Sequence, residues 1–248
     1  MAQFRTQGAG IGLAITEGIR KMKNFSDIVT AVTAIVSSLK DGDRIAVILR
    51  HGSRMEHKDL PNDTICDESW EQIRELGAAI RQAGIKLAKI IMTPRGRGVM
   101  AACALGEGNA VGDEAVAPFT TSPSLDDVSN DVAGGGPEIL RKLKPIAKER
   151  GITGEQTLLL SGDPEIAAYA WRRAMQYADA IKTNSLADNI VKAFVSHGGV
   201  LDIAIAMLRA PKATQLAELP QPDQWLEMGQ AAIVVFGKDG ELVKVVYL

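Results

Sequence analysis

Arg44-Ile45-Ala46-Val47-Ile48-Leu49-Arg50-His51-Gly52-Ser53-Arg54 is the stretch whose reading decides the fold. Residues 44–49 form a short apolar run of the kind that makes a buried strand in an open parallel sheet. The run ends by delivering two guanidinium groups and an imidazole to one rim, and ligands of open α/β sheets bind at the carboxyl ends of the strands. Arginines flanking a histidine suit a phosphate. The guanidinium groups offer bidentate donors to its oxygens, and the imidazole offers a nitrogen that can attack phosphorus. Taken alone, Arg50 to Arg54 fits a solvated basic turn better than a site. Its meaning depends on what stands at the other strand ends.

Two further strand ends carry related groups. Leu87 to Met92 reads as a second buried strand, followed by Thr93-Pro94-Arg95-Gly96-Arg97-Gly98 and an Ala-rich helix from Val99 to Leu105. A strand, a basic Gly-bearing turn and a helix start place backbone N–H groups and guanidinium charge together. Ile190 to Val195 reads as another strand. It ends in Ser196-His197-Gly198-Gly199, whose glycines permit close backbone approach, and a helix from Val200 to Leu208 follows.

The remaining pattern alternates helices with strands. Apolar residues at three- and four-residue spacing predict a helix from Asn24 or Ser26 to Leu39, and a second marked by Trp70, Ile73, Leu76 and Ile80. Further helices are predicted from Glu138 to Arg150 and from Pro164 to Ile181, the latter capped by Asp163 or Ser161 with Arg172 and Arg173 on its solvated side. Glu114 to Phe119 is a further strand, leading into a polar loop that holds Asp126, Asp127 and Asp131 and ends at Gly134-Gly135-Gly136. Loops of this length in compact domains are usually functional or mobile. Ala231 to Phe236 and Leu242 to Val246 flank Lys238-Asp239-Gly240 and read as a terminal hairpin. The expected fold is α/β: a three-layer sandwich with a mostly parallel central sheet, helices on both faces and a C-terminal hairpin. Residues 1–24 form an N-terminal extension, and residues 25–248 a single domain.

Composition narrows the function classes. The 248 residues are 46% hydrophobic and 23% charged, which is ordinary for a globular chain with a substantial core. A net charge of −2 gives no reason to expect nucleic acid or an anionic membrane as partner, so phosphate affinity would be local. Cys66 and Cys103 are too few for a disulfide scaffold and lack metal-site spacing, and the three histidines form no Cys/His cluster. Gly8-Ala9-Gly10-Ile11-Gly12 lacks the preceding strand and the spacing of a dinucleotide loop. His57 sits in a polar loop and is expected to be exposed. The first residues do not read as a secretory leader, so a cytoplasmic protein is expected. The apolar helix near the N-terminus leaves a homodimer open.

Together the three strand ends resemble the histidine phosphatase superfamily, which includes the phosphoglycerate mutases. Arg50-His51-Gly52 matches its first motif, Thr93-Pro94-Arg95-Gly96-Arg97 stands in place of its Ser-Pro-x-x-Arg, and Ser196-His197-Gly198-Gly199 matches its last. Order and spacing agree from Arg44 to the C-terminus. The resemblance implies a hydrolase, a metal-independent phosphomonoesterase without cofactor acting on a small phosphorylated molecule. His51 would form a phosphohistidine, while Arg50, Arg97 and His197 hold the phosphoryl oxygens. Arg54 matches the Arg-His-Gly-x-Arg form of the acid phosphatase branch and would be a further phosphate ligand; Arg97 is preferred to Arg95. The proton donor of that family is a mid-chain carboxyl. Leu125-Asp126-Asp127 meets the mutase-like Leu-x-Glu pattern with Asp127, shorter by one methylene, while Asp126 and Asp131 remain alternatives. The acid branch's His-Asp is absent, since Gly198 follows His197. Two other readings stay open: a phosphomutase on the same fold, disfavoured because no tail follows the hairpin, and a non-catalytic phosphate-binding regulatory protein.

Overall fold

The computed structural model describes residues 24–53, 63–222 and 224–248. The extension, Arg54, His57 and the early glycine-rich patch lie outside the described residues. Strand β1 (Arg44–Arg50) is followed by α2 (Asp67–Gln82), β2 (Lys89–Met92), α3 (Gly96–Asn109) and β3 (Phe119–Thr121), with α1 (Phe25–Ser38) preceding it. Then come α4 (Gly136–Arg150), α5 (Gly154–Leu160), α6 (Pro164–Leu186), β4 (Lys192–Ser196), α7 (Val200–Arg209), and the strands β5 (Ala231–Phe236) and β6 (Leu242–Tyr247).

The six strands form one sheet in the order β3-β2-β4-β1-β5-β6. The first four are mutually parallel, while β5 runs antiparallel to both β1 and β6. Side chains of a strand alternate between faces, so each central strand feeds two cores. Ala46, Ile48 and Phe194 join α4, α6 and α7 on one face. Val47, Leu49 and Val195 join α1, α2 and α3 on the other. Val47, Ile48 and Leu49 are fully buried, which explains the unbroken apolar run at the start of the motif. The expected three layers and terminal hairpin are present.

Register matters most for function. Strand β4 lies between β1 and β2, although it comes last of the three in the chain. Arg50 pairs with Ser196 and Met92 with Val195, so the three strands end level. The ladder continues one step past the strands: the His51 N–H donates to the Ser196 carbonyl at 3.0 Å, and the Thr93 N–H to the Val195 carbonyl at 3.0 Å. These bonds fix His51 and Thr93 at one rim of the sheet.

Three expectations need correction. Arg173 is only 5% exposed and does not lie on a solvated face. Its Nη2 donates to the Asp126 carbonyl at 2.8 Å and its guanidinium lies over the Tyr177 ring, a pairing that compensates a buried cation. Strand β3 begins at Phe119, later than predicted, and its three residues are exposed, as suits a short edge strand. Helix α5 was not anticipated; Thr153 caps it reciprocally with Gln156. Among the described residues no helix is long and apolar enough to cross a membrane.

Candidate active site

His51 leaves the end of β1 with 4% of its surface exposed. Its Nδ1 lies 2.7 Å from the carbonyl of Gly52. A carbonyl only accepts, so Nδ1 carries the proton and Nε2 presents its lone pair. Burial pushes the imidazole pKa down to about 4; the Gly52 carbonyl opposes this, while Arg97 and Arg50 add to it. The ring is therefore neutral, and nucleophilic at Nε2, at neutral pH. Gly52 is required by packing: a Cβ there would lie 2.5 Å from the Cβ of Ser69 on α2.

Arg50 is aimed by two bonds. Its Nη1 donates to the Leu226 carbonyl at 2.7 Å and its Nη2 to Glu155 Oε1 at 2.8 Å. Among the described residues its buried Nε finds no hydrogen-bond partner. Gly198 lies under the guanidinium, where a Cβ would come within 2.6 Å of Arg50 Cζ. The glycine after His197 thus makes room for the arginine before His51.

His197 and Arg97 complete the cluster. The two imidazole rings stand 4.8 Å apart, edge to face at 66°. His197 Nε2 lies 3.3 Å from Thr93 Oγ1. Burial lowers its pKa to about 3, with His51 and the arginines acting in the same direction and Asp127 against. Arg97 sits in the first turn of α3, which starts at Gly96 rather than Val99; its Nε lies 3.5 Å from Asp63 Oδ1 and its Nη2 3.5 Å from Asp127 Oδ2. Arg95 is turned away instead, its Nη2 donating to Ser129 Oγ at 2.7 Å.

The three loop aspartates have different partners. Asp126 Oδ1 accepts from the Asp127 N–H at 2.7 Å and from Asn130 Nδ2 at 3.1 Å. Asp131 Oδ1 accepts from the Gly134 N–H at 3.0 Å, and its Oδ2 lies 3.7 Å from Arg173 Nε. Asp127 is different. Its Oδ1 accepts from the Ser129 N–H at 2.8 Å, which leaves Oδ2 facing the cluster, 3.5 Å from both His197 Nδ1 and Arg97 Nη2. Burial raises its pKa, but His197, the Ser129 bonds and Arg97 outweigh burial and hold it below the usual carboxylate value.

Helix α6 holds that loop in place from below. Arg173 Nη2 and the Tyr177 hydroxyl both donate to the Asp126 carbonyl, at 2.8 and 2.7 Å. Ser196 Oγ, at the end of β4, donates to the Leu125 carbonyl at 2.7 Å. Sequence reading gave Tyr177 and Glu155 no part in the site, put Arg173 on a solvated face and carried Ser196 only as a member of the last motif. For Glu155 a signal existed, since Thr153-Gly154-Glu155-Gln156 has the spacing of a capping box.

Arg50, His51, Arg97, His197 and Asp127 open onto one cavity of about 880 Å³. Two guanidinium groups and two imidazoles converge there beside a carboxylate, an arrangement able to hold a tetrahedral oxyanion against a nucleophilic nitrogen. Among the described residues no three His, Cys, Asp or Glu side chains are grouped as metal ligands.

No protein-family model and no curated protein matches the chain. Solved structures do. Phosphoglycerate mutase from Bacillus anthracis str. Sterne is 16% identical, over 83% of this chain and 93% of its own, with a TM-score of 0.54. The ecdysone phosphate phosphatase EPPase from Bombix mori, in complex with tungstate, is 15% identical over 81% and 92%, with a TM-score of 0.49. The protein histidine phosphatase SixA complexed with tungstate is 12% identical over 82% and 96%, with a TM-score of 0.46. The fold is that of the phosphoglycerate mutase, as the three strand-end motifs led one to expect.

Proposed function

We propose that the chain is a phosphomonoesterase of the histidine phosphatase type, working through a phosphohistidine on His51 and needing neither metal nor cofactor. The observation that carries the reading is the convergence of Arg50, His51, Arg97 and His197 from three level strand ends on one cavity.

In this mechanism the ester dianion lies between Arg50, Arg97 and His197. His51 Nε2 attacks phosphorus, the P–O bond to the alcohol breaks, and the leaving oxygen takes a proton from Asp127. Asp127 then takes a proton from water as that water attacks the phosphohistidine, and cleavage of the P–N bond releases phosphate and restores His51. Asp127 has to enter the first step protonated, although its surroundings hold its pKa down. The incoming dianion provides the reason: two negative charges beside the carboxylate favour its neutral form. Asp126 and Asp131 are set aside as donors because their oxygens are engaged elsewhere, those of Asp126 by the Asp127 N–H, Asn130 and Thr93 and those of Asp131 by the Gly134 N–H and Arg173. Arg54 is proposed as a further phosphate ligand on its place in Arg-His-Gly-x-Arg.

The small phosphorylated substrate is the partner proposed, and a cytoplasmic location is proposed with it. The test is hydrolysis of an aryl phosphate with and without chelator. Chelator-resistant phosphate release that His51→Ala abolishes supports the proposal. An inert wild type across a broad panel of phosphomonoesters would move the reading to a phosphate-binding protein.

A further inference from the structure

The cavity is far larger than a phosphoryl group needs. At about 880 Å³ it falls in the range of sites that enclose whole small molecules. Besides the charged groups named above, the lining holds residues of another character. Helix α4 turns Leu140, Leu143, Lys144 and Ala147 toward the cavity, the i, i+3, i+4, i+7 stripe of a single helical face. Val128 extends this wall, while Met228 lines the cavity near Arg50 and His51, whose carbonyls accept from the Gly229 N–H. Leu140, Ala147 and Val128 are only half-buried and Met228 is 44% exposed, so the lining retains apolar surface to offer.

Among the described lining residues, polar partners besides those charged groups are few. Lys144 is exposed, and it is the sole cation besides Arg50 and Arg97 among the described lining residues. Glu155 is engaged by Arg50. The Tyr177 hydroxyl is engaged by the Asp126 carbonyl and by Ser196. Against the described residues, a polyol enclosed here would leave hydroxyls with few partners, which is unfavourable, while an apolar group would cover apolar surface.

We propose that the organic group of the substrate is apolar, so that the site takes monoesters of aliphatic or aromatic alcohols in preference to those of polyols. This rests on the phosphoryl chemistry proposed above and adds the leaving group to it. The alcohol oxygen sits beside Asp127, and the carbon chain runs over Val128 onto the α4 stripe.

The experiment is a series of n-alkyl phosphates from ethyl to octyl, set against glycerol phosphate. Leaving-group basicity changes little along the alkyl series, so kcat/KM reports the wall. It is expected to rise about fourfold per added methylene over the first few members, which is the rate equivalent of ~0.8 kcal/mol per buried CH₂. Leu140→Asp and Ala147→Asp, at either end of the stripe, should each flatten the series. Affinities of the matching alkylphosphonates, measured by calorimetry, separate binding from turnover. Turnover that is flat with chain length, or best on glycerol phosphate, overturns the inference and leaves the hydrolase reading standing. Absent turnover with phosphonate affinity still rising with chain length upholds the apolar ligand and overturns hydrolysis. Absent turnover with affinity indifferent to chain length overturns both.

Discussion

Replacing Asp127 by Asn separates two consequences of one carboxylate. The substitution keeps an oxygen for the Ser129 N–H at 2.8 Å, so the loop retains its shape. What disappears is the charge at Oδ2, 3.5 Å from Arg97 Nη2 and from His197 Nδ1. A phosphate oxygen sharing those donors would lie about 4 Å from Oδ2. At an effective dielectric near 20 each such pair of unit charges repels by ~4 kcal/mol while the carboxylate stays ionised. The protein relieves most of that by protonating Asp127, at ~1.4 kcal/mol per pKa unit. Asp127→Asn should therefore bind orthophosphate or tungstate more tightly than wild type, by about tenfold or more at neutral pH. Catalysis should move the other way. General acids contribute typically ~10²–10⁴-fold, so kcat/KM for an alkyl phosphate should fall by that order. The loss for a nitrophenyl phosphate, whose leaving group departs unprotonated, should stay within about tenfold. The assay is steady-state kinetics on both esters, with calorimetric anion binding alongside. Equal losses on the two esters, or weaker anion binding, would refute this placing of the proton donor.

Gly198→Ala puts a methyl group 2.6 Å from Arg50 Cζ and must displace the guanidinium. Misplacement by about 1 Å costs on the order of 10²-fold in rate, so kcat/KM should fall by that order while the thermal midpoint changes little. Arg173→Met removes a donor to the Asp126 carbonyl and leaves that carbonyl the Tyr177 bond alone among those seen. A loss of about 1–3 kcal/mol in chemical denaturation is expected, with lower activity because Asp127 is carried by the same loop. For pH, His51 has its folded pKa lowered to about 4 against an ordinary 6.5. The unfolded chain thus binds the extra proton first, and this contribution to stability is fully present above pH 6.5 and lost as pH falls toward 4. Asp202, raised to about 6 chiefly by burial, acts in the opposite sense over an overlapping range. The comparison is therefore wild type against His51→Asn, and the mutant should lose less stability between pH 7 and 5.

How much of this could be read from residues alone varies with the range of the interaction. Each strand-end motif is a handful of consecutive residues after an apolar run, so Arg50, His51, Arg97 and His197 were visible as candidates. The insertion of β4 between β1 and β2 depends on pairings between residues more than 100 positions apart, such as Ala46 with Lys192, and no strand order was read from the sequence. The proton donor was ambiguous because Asp126, Asp127 and Asp131 are chemically alike. Only their local bonds tell them apart: the first caps the turn, the last caps Gly134, and the middle one keeps Oδ2 turned to the cluster. Arg173 was misplaced for a related reason, since its acceptor is a main-chain carbonyl 47 residues away and carbonyls leave no mark on sequence. Helix α5, seven residues long, is too short to display a helical period, although its capping box was legible and leads directly to Glu155.

The central claim is that His51 carries the phosphoryl group, and rapid-quench trapping with a phosphorus-labelled aryl phosphate tests it most directly. The account predicts a transient protein-bound phosphate that is acid-labile and base-stable, maps to the peptide containing His51, and decays at the rate of turnover. It should be absent from His51→Ala. Hydrolysis at full rate with no label on His51, or turnover retained by His51→Ala, would contradict it.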